Sequence, residues 1–112
     1  MDHQNPSLGG VKSGGKVVVG PSSAGLPPDH VVAELKGVHE ICGMGTLILD
    51  EKGDPKLHMH AAFGRGGTAT VGCIRLGVEV WQVGEVVVLE IEGSSAKRRK
   101  DKKTGFNLLE TQ

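Results

Sequence analysis

Two histidines stand two residues apart in the run LHMHAAF at residues 57–63, inside a stretch otherwise patterned like a strand. Side chains alternate across a strand, so His58 and His60 share one face while Leu57, Met59 and Ala61 share the other. The following GRGG at residues 64–67 reads as a four-residue turn, and TATVGCIRL after it as the returning strand. With that loop and a regular ladder, His58 lies opposite Cys73 and His60 opposite Val71, and residues opposed in this way share a face. Two imidazoles and a thiol then converge. Such a donor set suits a borderline-soft cation, zinc or another divalent transition metal, and leaves a fourth position open. The same spacing fits equally a hydrated polar face on which Cys73 is an ordinary small buried residue. A slip of one residue would send Cys73 to the opposite face. His39 and His30 are alternate ligands, with His30 expected on the exposed side of a short helix.

Other chemistry is thinner. KRRKDKK at residues 97–103 gathers Lys97, Arg98, Arg99, Lys100, Lys102 and Lys103, enough positive charge to contact several nucleic-acid phosphates. No aromatic is interleaved with them, so base stacking is not supported, and a solvated loop is the competing reading. Glu79, Glu90 and Glu92 follow strand alternation, which leaves Glu85, at the head of an apolar run, as the candidate general base. A nucleophile built from Cys73 with His58 or His60 lacks any orienting residue or oxyanion-hole motif.

These residues need a sheet to position them. At 112 residues the chain is one small domain, of a size where self-association often helps to bury apolar surface. Aromatics make up 3%, so Val, Leu and Ile must fill the core, and these pack best on pleated surfaces. Eighteen glycines without a period point to many tight turns. Thirteen basic and 13 acidic residues cancel, which denies nucleic acid any long-range attraction beyond local patches. Neither a membrane-length apolar stretch nor a basic-then-apolar leader is visible, so a cytoplasmic location is expected. Cys42 and Cys73 lack the spacing of a redox motif and are expected as reduced thiols.

Residues 1–15, polar and glycine-rich, are expected to form a loose arm, with a single domain over 16–112. KVVVG at 16–20 reads as a strand. Pro27, Pro28 and Asp29, then Val31, Val32 and Leu35 with Gly37 as stop, read as a helix of two to three turns. HEICGMGTLILD at 39–50 reads as a long strand whose Gly43 and Gly45 mark a bulge or a close backbone approach. GVEVWQV is a further strand, EVVVLEIEG a strand buried on both faces, and KRRKDKKTGFNLLE a basic loop ending in a short apolar segment that adds a last strand. The fold class is α+β: mostly antiparallel sheet with one short covering helix.

Five segments occur in a telling order: GVHEICGMGTL at 37–47, LHMHAAFGRGG at 57–67, TVGCIRLG at 70–77, GEVVVLEI at 84–91 and RRKDKKTGFNLLE at 98–110. Together they resemble the PPC domain, conserved in plants and prokaryotes and also called domain of unknown function 296, in its free-standing bacterial and archaeal form. The likeness runs from residue 16 onward. It implies an antiparallel sheet with a covering helix, assembled as a homotrimer whose subunits share sheet edges and bury apolar faces. Members of this type are described as DNA-binding, whereas the plant relatives use separate Arg-Gly-Arg-Pro hooks that this chain lacks. Some members resemble metal-containing proteins that use the L-H-x-H pair and a later histidine. VGCI stands here where Gly-Gly-His-Leu is usual, so the resemblance gives that third place to Cys73, and a thiolate keeps the site usable by zinc. The expected function is that of a trimeric, non-enzymatic module binding a ligand or partner, with a divalent metal at His58, His60 and Cys73 and a DNA-binding regulator as one form of it. The alternative is a metal-assisted hydrolase or lyase acting on a small molecule.

Overall fold

The computed structural model describes residues 9–111. Nine strands account for its regular structure: β1 (Gly9–Val11), β2 (Lys16–Pro21), β3 (His30–Glu34), β4 (His39–Leu49), β5 (Pro55–Arg65), β6 (Thr68–Cys73), β7 (Val80–Gly84), β8 (Lys97–Lys100) and β9 (Asn107–Glu110). The first seven form one antiparallel sheet in the order β3-β2-β6-β5-β4-β1-β7, curled into a half-barrel, and β8 and β9 form a separate hairpin. Among the described residues no helix is long and apolar enough to cross a membrane.

The long β4–β5 hairpin is the spine. Its ladder runs unbroken from Glu40 opposite Gly64 to Leu49 opposite Pro55. Gly43 and Gly45 therefore mark a close approach and not a bulge: a Cβ on Gly45 would lie 2.8 Å from both the His58 carbonyl oxygen and Met59 Cβ. Next to it, β5 turns into β6 through two residues only. Gly66 and Gly67 hold φ of 61° and 85°, the left-handed pair that a two-residue hairpin turn requires and that glycine adopts without strain. Arg65 consequently pairs with Thr68 and His60 with Cys73. The expected four-residue turn is corrected, and with it the partners: Cys73 faces His60 and not His58, and Val71 faces Ala62.

One face of the curl is the core. Phe63, Leu35, Val11 and Val17 are fully buried and pack with Ala61, while Ile41, Ile74 and Val78 lean against them. Burying a Phe or Leu side chain contributes roughly 1.5–3 kcal/mol, so this small cluster anchors the β1, β2 and β5 end of the sheet.

The expected helix over Pro27–Gly37 is a strand instead, so the fold is a sheet without a covering helix among the described residues. An isolated helix of that length is marginal, and β-branched Val31 and Val32 favour pleated backbone. The open edge of β2 offers the alternative, and β3 takes it with Val18 opposite Val32 and Val17 opposite Ala33. The loose arm expected over 1–15 does not reach that far: Gly9–Val11 lies between β4 and β7 with Val11 buried, and residues 1–8 lie outside the described residues. Nor is 85–92 a buried strand. Val86, Val87, Val88, Leu89 and Ile91 are each at least 80% exposed, because a strand needs a neighbour to accept its backbone hydrogen bonds and none lies beside this run among the described residues. The basic stretch is a strand in its first half, since β8 pairs with β9 from Lys97 opposite Glu110 to Lys100 opposite Asn107.

Candidate metal centre

The face of the sheet opposite the core carries a row of polar side chains. The pairs Met44–His60 and Thr46–His58 across β4 and β5, then His60–Cys73 and Cys73–Val18, place both imidazoles and the thiol on one surface. The error of two residues in the expected register leaves this face unchanged, because the strand period is two. Ligand atoms of His58, His60 and Cys73 all lie within 4.8 Å of one another, with both histidines exposed and the cysteine buried. The two Nε2 atoms are 3.1 Å apart, close to the roughly 3.3 Å that two nitrogens bound at about 2.0 Å to one tetrahedral ion would present. The rings meet edge to face, their planes at 69°.

A third element closes over this row. Arg98, on β8, reaches across β4: its Nη2 donates to Thr46 Oγ1 at 3.0 Å and toward His58 Nδ1 at 3.4 Å, and its Nη1 donates to the Asn107 carbonyl at 3.4 Å. Its Nε–H is buried and has no acceptor among the described residues. Arg75, just past β6, donates to His30 Nε2 at 2.8 Å. Partial burial first, then the positive charges of Arg98, His60 and Arg75, push the His58 pKa below its ordinary value. A neutral ring is the form that binds a metal. The donor set and the nitrogen spacing both fit a divalent transition metal, and the depressed His58 pKa favours the form of the ring that binds one; two imidazoles and a thiolate suit zinc.

The other expected residues fall elsewhere. His39 is tied by its Nδ1–H to the Gly37 carbonyl at 2.9 Å, and His30 sits on β3, exposed, and not on a helix. No hydrogen bond links Glu85 to the triad among the described residues, which leaves it without the reach of a general base there. Of the six basic residues at 97–103, Arg98 is turned into the metal face and Arg99 pairs with Glu110 across the hairpin. Lys97, Lys100, Lys102 and Lys103 remain exposed. Arg98, Arg75 and Thr46 were not singled out for the metal face from sequence. Four consecutive cations carry no alternation of type, so nothing in KRRK marked Arg98 apart from its neighbours.

Both cysteines are free thiols, Cys42 exposed and Cys73 buried. Comparison with curated proteins and with solved structures found no match. The model of one family, described as the Plants and Prokaryotes Conserved (PCC) domain, matches residues 7–92, a span that contains the metal face from β1 to β7 and exceeds half of the chain. The chain belongs to the PCC domain family.

Proposed function

We propose that this protein is a non-enzymatic binding module, working as a homotrimer, that holds one divalent transition metal, zinc by its donor set, through His58, His60 and Cys73. The observation that carries this reading is the gathering of three ligand atoms within 4.8 Å on a single face. Three protein ligands leave a cation with one open position and a Lewis-acidic surface. His58 and His60 supply nitrogens from one strand, and Cys73 supplies sulfur from the next. A thiol lowers its pKa on meeting a cation, so uptake releases a proton.

Self-association rests on a second observation. The run from Val86 to Ile91 exposes five large apolar side chains at 80% or more, each of which gains roughly 1.5–3 kcal/mol when buried. The Cα radius of gyration is 16.0 Å, against about 13 Å for a compact chain of this length. A neighbouring copy that covers 86–91 relieves both. Three copies is the number that the likeness to free-standing members implies.

Elemental analysis of protein purified without chelator tests the metal, with about one ion per chain expected. His58→Ala, His60→Ala and Cys73→Ala should each lose it, and Cys73→His, which exchanges one zinc ligand for another, should keep it. No stoichiometric metal, together with unchanged stability in His58→Ala, removes the site. Size-exclusion chromatography with light scattering reads the assembly directly.

A further inference from the structure

His58 has two partners that make incompatible demands on its proton. The Arg98 guanidinium has only donors, so at 3.4 Å from Nδ1 it is satisfied only if Nδ1 is bare and the ring proton sits on Nε2, shared toward His60 Nε2 at 3.1 Å. To offer Nε2 to a cation, the neutral ring must instead carry its proton on Nδ1. Nδ1–H and the Arg98 Nη2–H then face each other as two donors with nothing to accept. A further Arg98 donor, Nε–H, already lacks an acceptor. Neither Arg98 nor Arg75 has a carboxylate within ion-pair distance among the described residues. A face with two uncompensated guanidiniums, a cation and a surplus of donors is short of one thing: an anion with oxygen acceptors.

We propose that Arg98, aided by Arg75, makes the metal face a receptor for a small oxyanion, a carboxylate or a phosphate, which accepts from the guanidinium donors beside the cation's open position. The inference rests on the metal reading above and specifies the ligand class of that site. Arg98 is the principal selector because it touches the ring of a metal ligand and a Thr hydroxyl on the adjoining strand. Arg75, two residues past Cys73 and held by His30, adds a second positive charge. Guanidinium groups suit this task because they stay charged at any working pH and present paired donors to planar or tetrahedral oxyanions.

The test uses the full chain, stripped with chelator and reloaded with one equivalent of Co(II), whose visible bands report the surroundings of the ion. Cobalt uptake is measured first, independently of any anion. Oxalate, inorganic phosphate and chloride are then titrated at matched ionic strength. The wild-type protein should give a saturable spectral shift with oxalate or phosphate and none with chloride; whichever of the two acts at lower concentration identifies carboxylate or phosphate as the preferred class. Arg98→Ala should take up cobalt normally yet bind the oxyanion at least about tenfold more weakly, as loss of a charge-assisted hydrogen bond requires. Arg98→Lys should fall between, and Arg75→Gln should weaken binding by a smaller factor. Full cobalt uptake with no oxyanion response in the wild type overturns the proposal and leaves the metal reading standing. So does an equal response to chloride, or an Arg98→Ala titration that matches the wild type. Failure of the wild type to take up cobalt overturns the metal reading and this proposal together.

Discussion

The chain contains two triplets of valine with opposite fates. In KVVVG, Val17 is fully buried and Val18 nearly so. In EVVVLEI, Val86, Val87 and Val88 are 83%, 81% and 80% exposed. Composition does not separate the two; hydrogen-bonding neighbours do. The first triplet lies on β2, flanked by β3 on one side and β6 on the other, with the Phe63 and Leu35 side chains filling the space above Val17. The second follows the last strand of the sheet and has no ladder partner among the described residues. An apolar run is buried by what lies beside it, and for 86–91 no such neighbour lies among the described residues.

The widest separation between the two regions should come from placing a charge in each. Val17→Asp buries a carboxylate without a partner and should cost more than about 4 kcal/mol, leaving the protein unfolded in a thermal melt. Val87→Asp should leave far-UV circular dichroism intact while light scattering reports dissociated chains. A Val87→Asp protein that stays assembled would break the comparison. Truncation gives the next effect. Phe63→Ala should lower stability by about 3–5 kcal/mol, whereas Val88→Ala in the dissociated chain should change it by less than about 0.5 kcal/mol, as surface substitutions do. Denaturant titrations at low protein concentration measure both.

A third substitution probes the spine between the regions. Gly45→Ala forces a methyl against the His58 carbonyl and Met59 Cβ, and overpacking of this kind costs about 1–3 kcal/mol. It should also weaken cobalt uptake, because the displaced strand carries both imidazoles. The smallest effect belongs to the turn after β8. Hydrogen bonds from the Thr104 hydroxyl and then its backbone N–H hold the Asp101 carboxyl below the ordinary carboxylate range. A carboxylate with a depressed pKa in the folded state stabilises above its unfolded value, about 4, and that contribution is lost as pH falls through the folded value. Protection of the amides at 101–106, taken relative to their intrinsic exchange rate at each pH, should therefore fall in acid, and Asp101→Asn should remove that dependence on pH.

Much of the metal face was legible before any coordinates. L-H-M-H announced two co-facial imidazoles, and the strand period protected the inclusion of Cys73 from the misjudged turn. GRGG looks like four turn residues, but Gly64 and Arg65 continue β5, and only the last two glycines turn. The helix was misread because Pro27, Pro28 and Asp29 are good start signals in isolation, while the vacant edge of β2 that draws Val31 and Val32 into a strand is a tertiary fact. Arg98 was hidden by its company: six cations in seven positions suggest a solvated, phosphate-seeking cluster, and only pairing with Asn107–Glu110 turns one of them inward. The number of three subunits belonged to the resemblance, whereas the reading of a nucleic-acid contact came from the charges at 97–103.

The β8–β9 hairpin is a sheet of its own, and among the described residues its one ladder link to the rest is the bridge between Asp50 and Arg98. His58, His60 and Cys73 therefore sit on the large sheet and the Arg98 guanidinium on a separate one. Substitutions confined to that C-terminal hairpin can therefore shift Arg98 while β5 and β6 keep the two imidazoles and the thiol where they are.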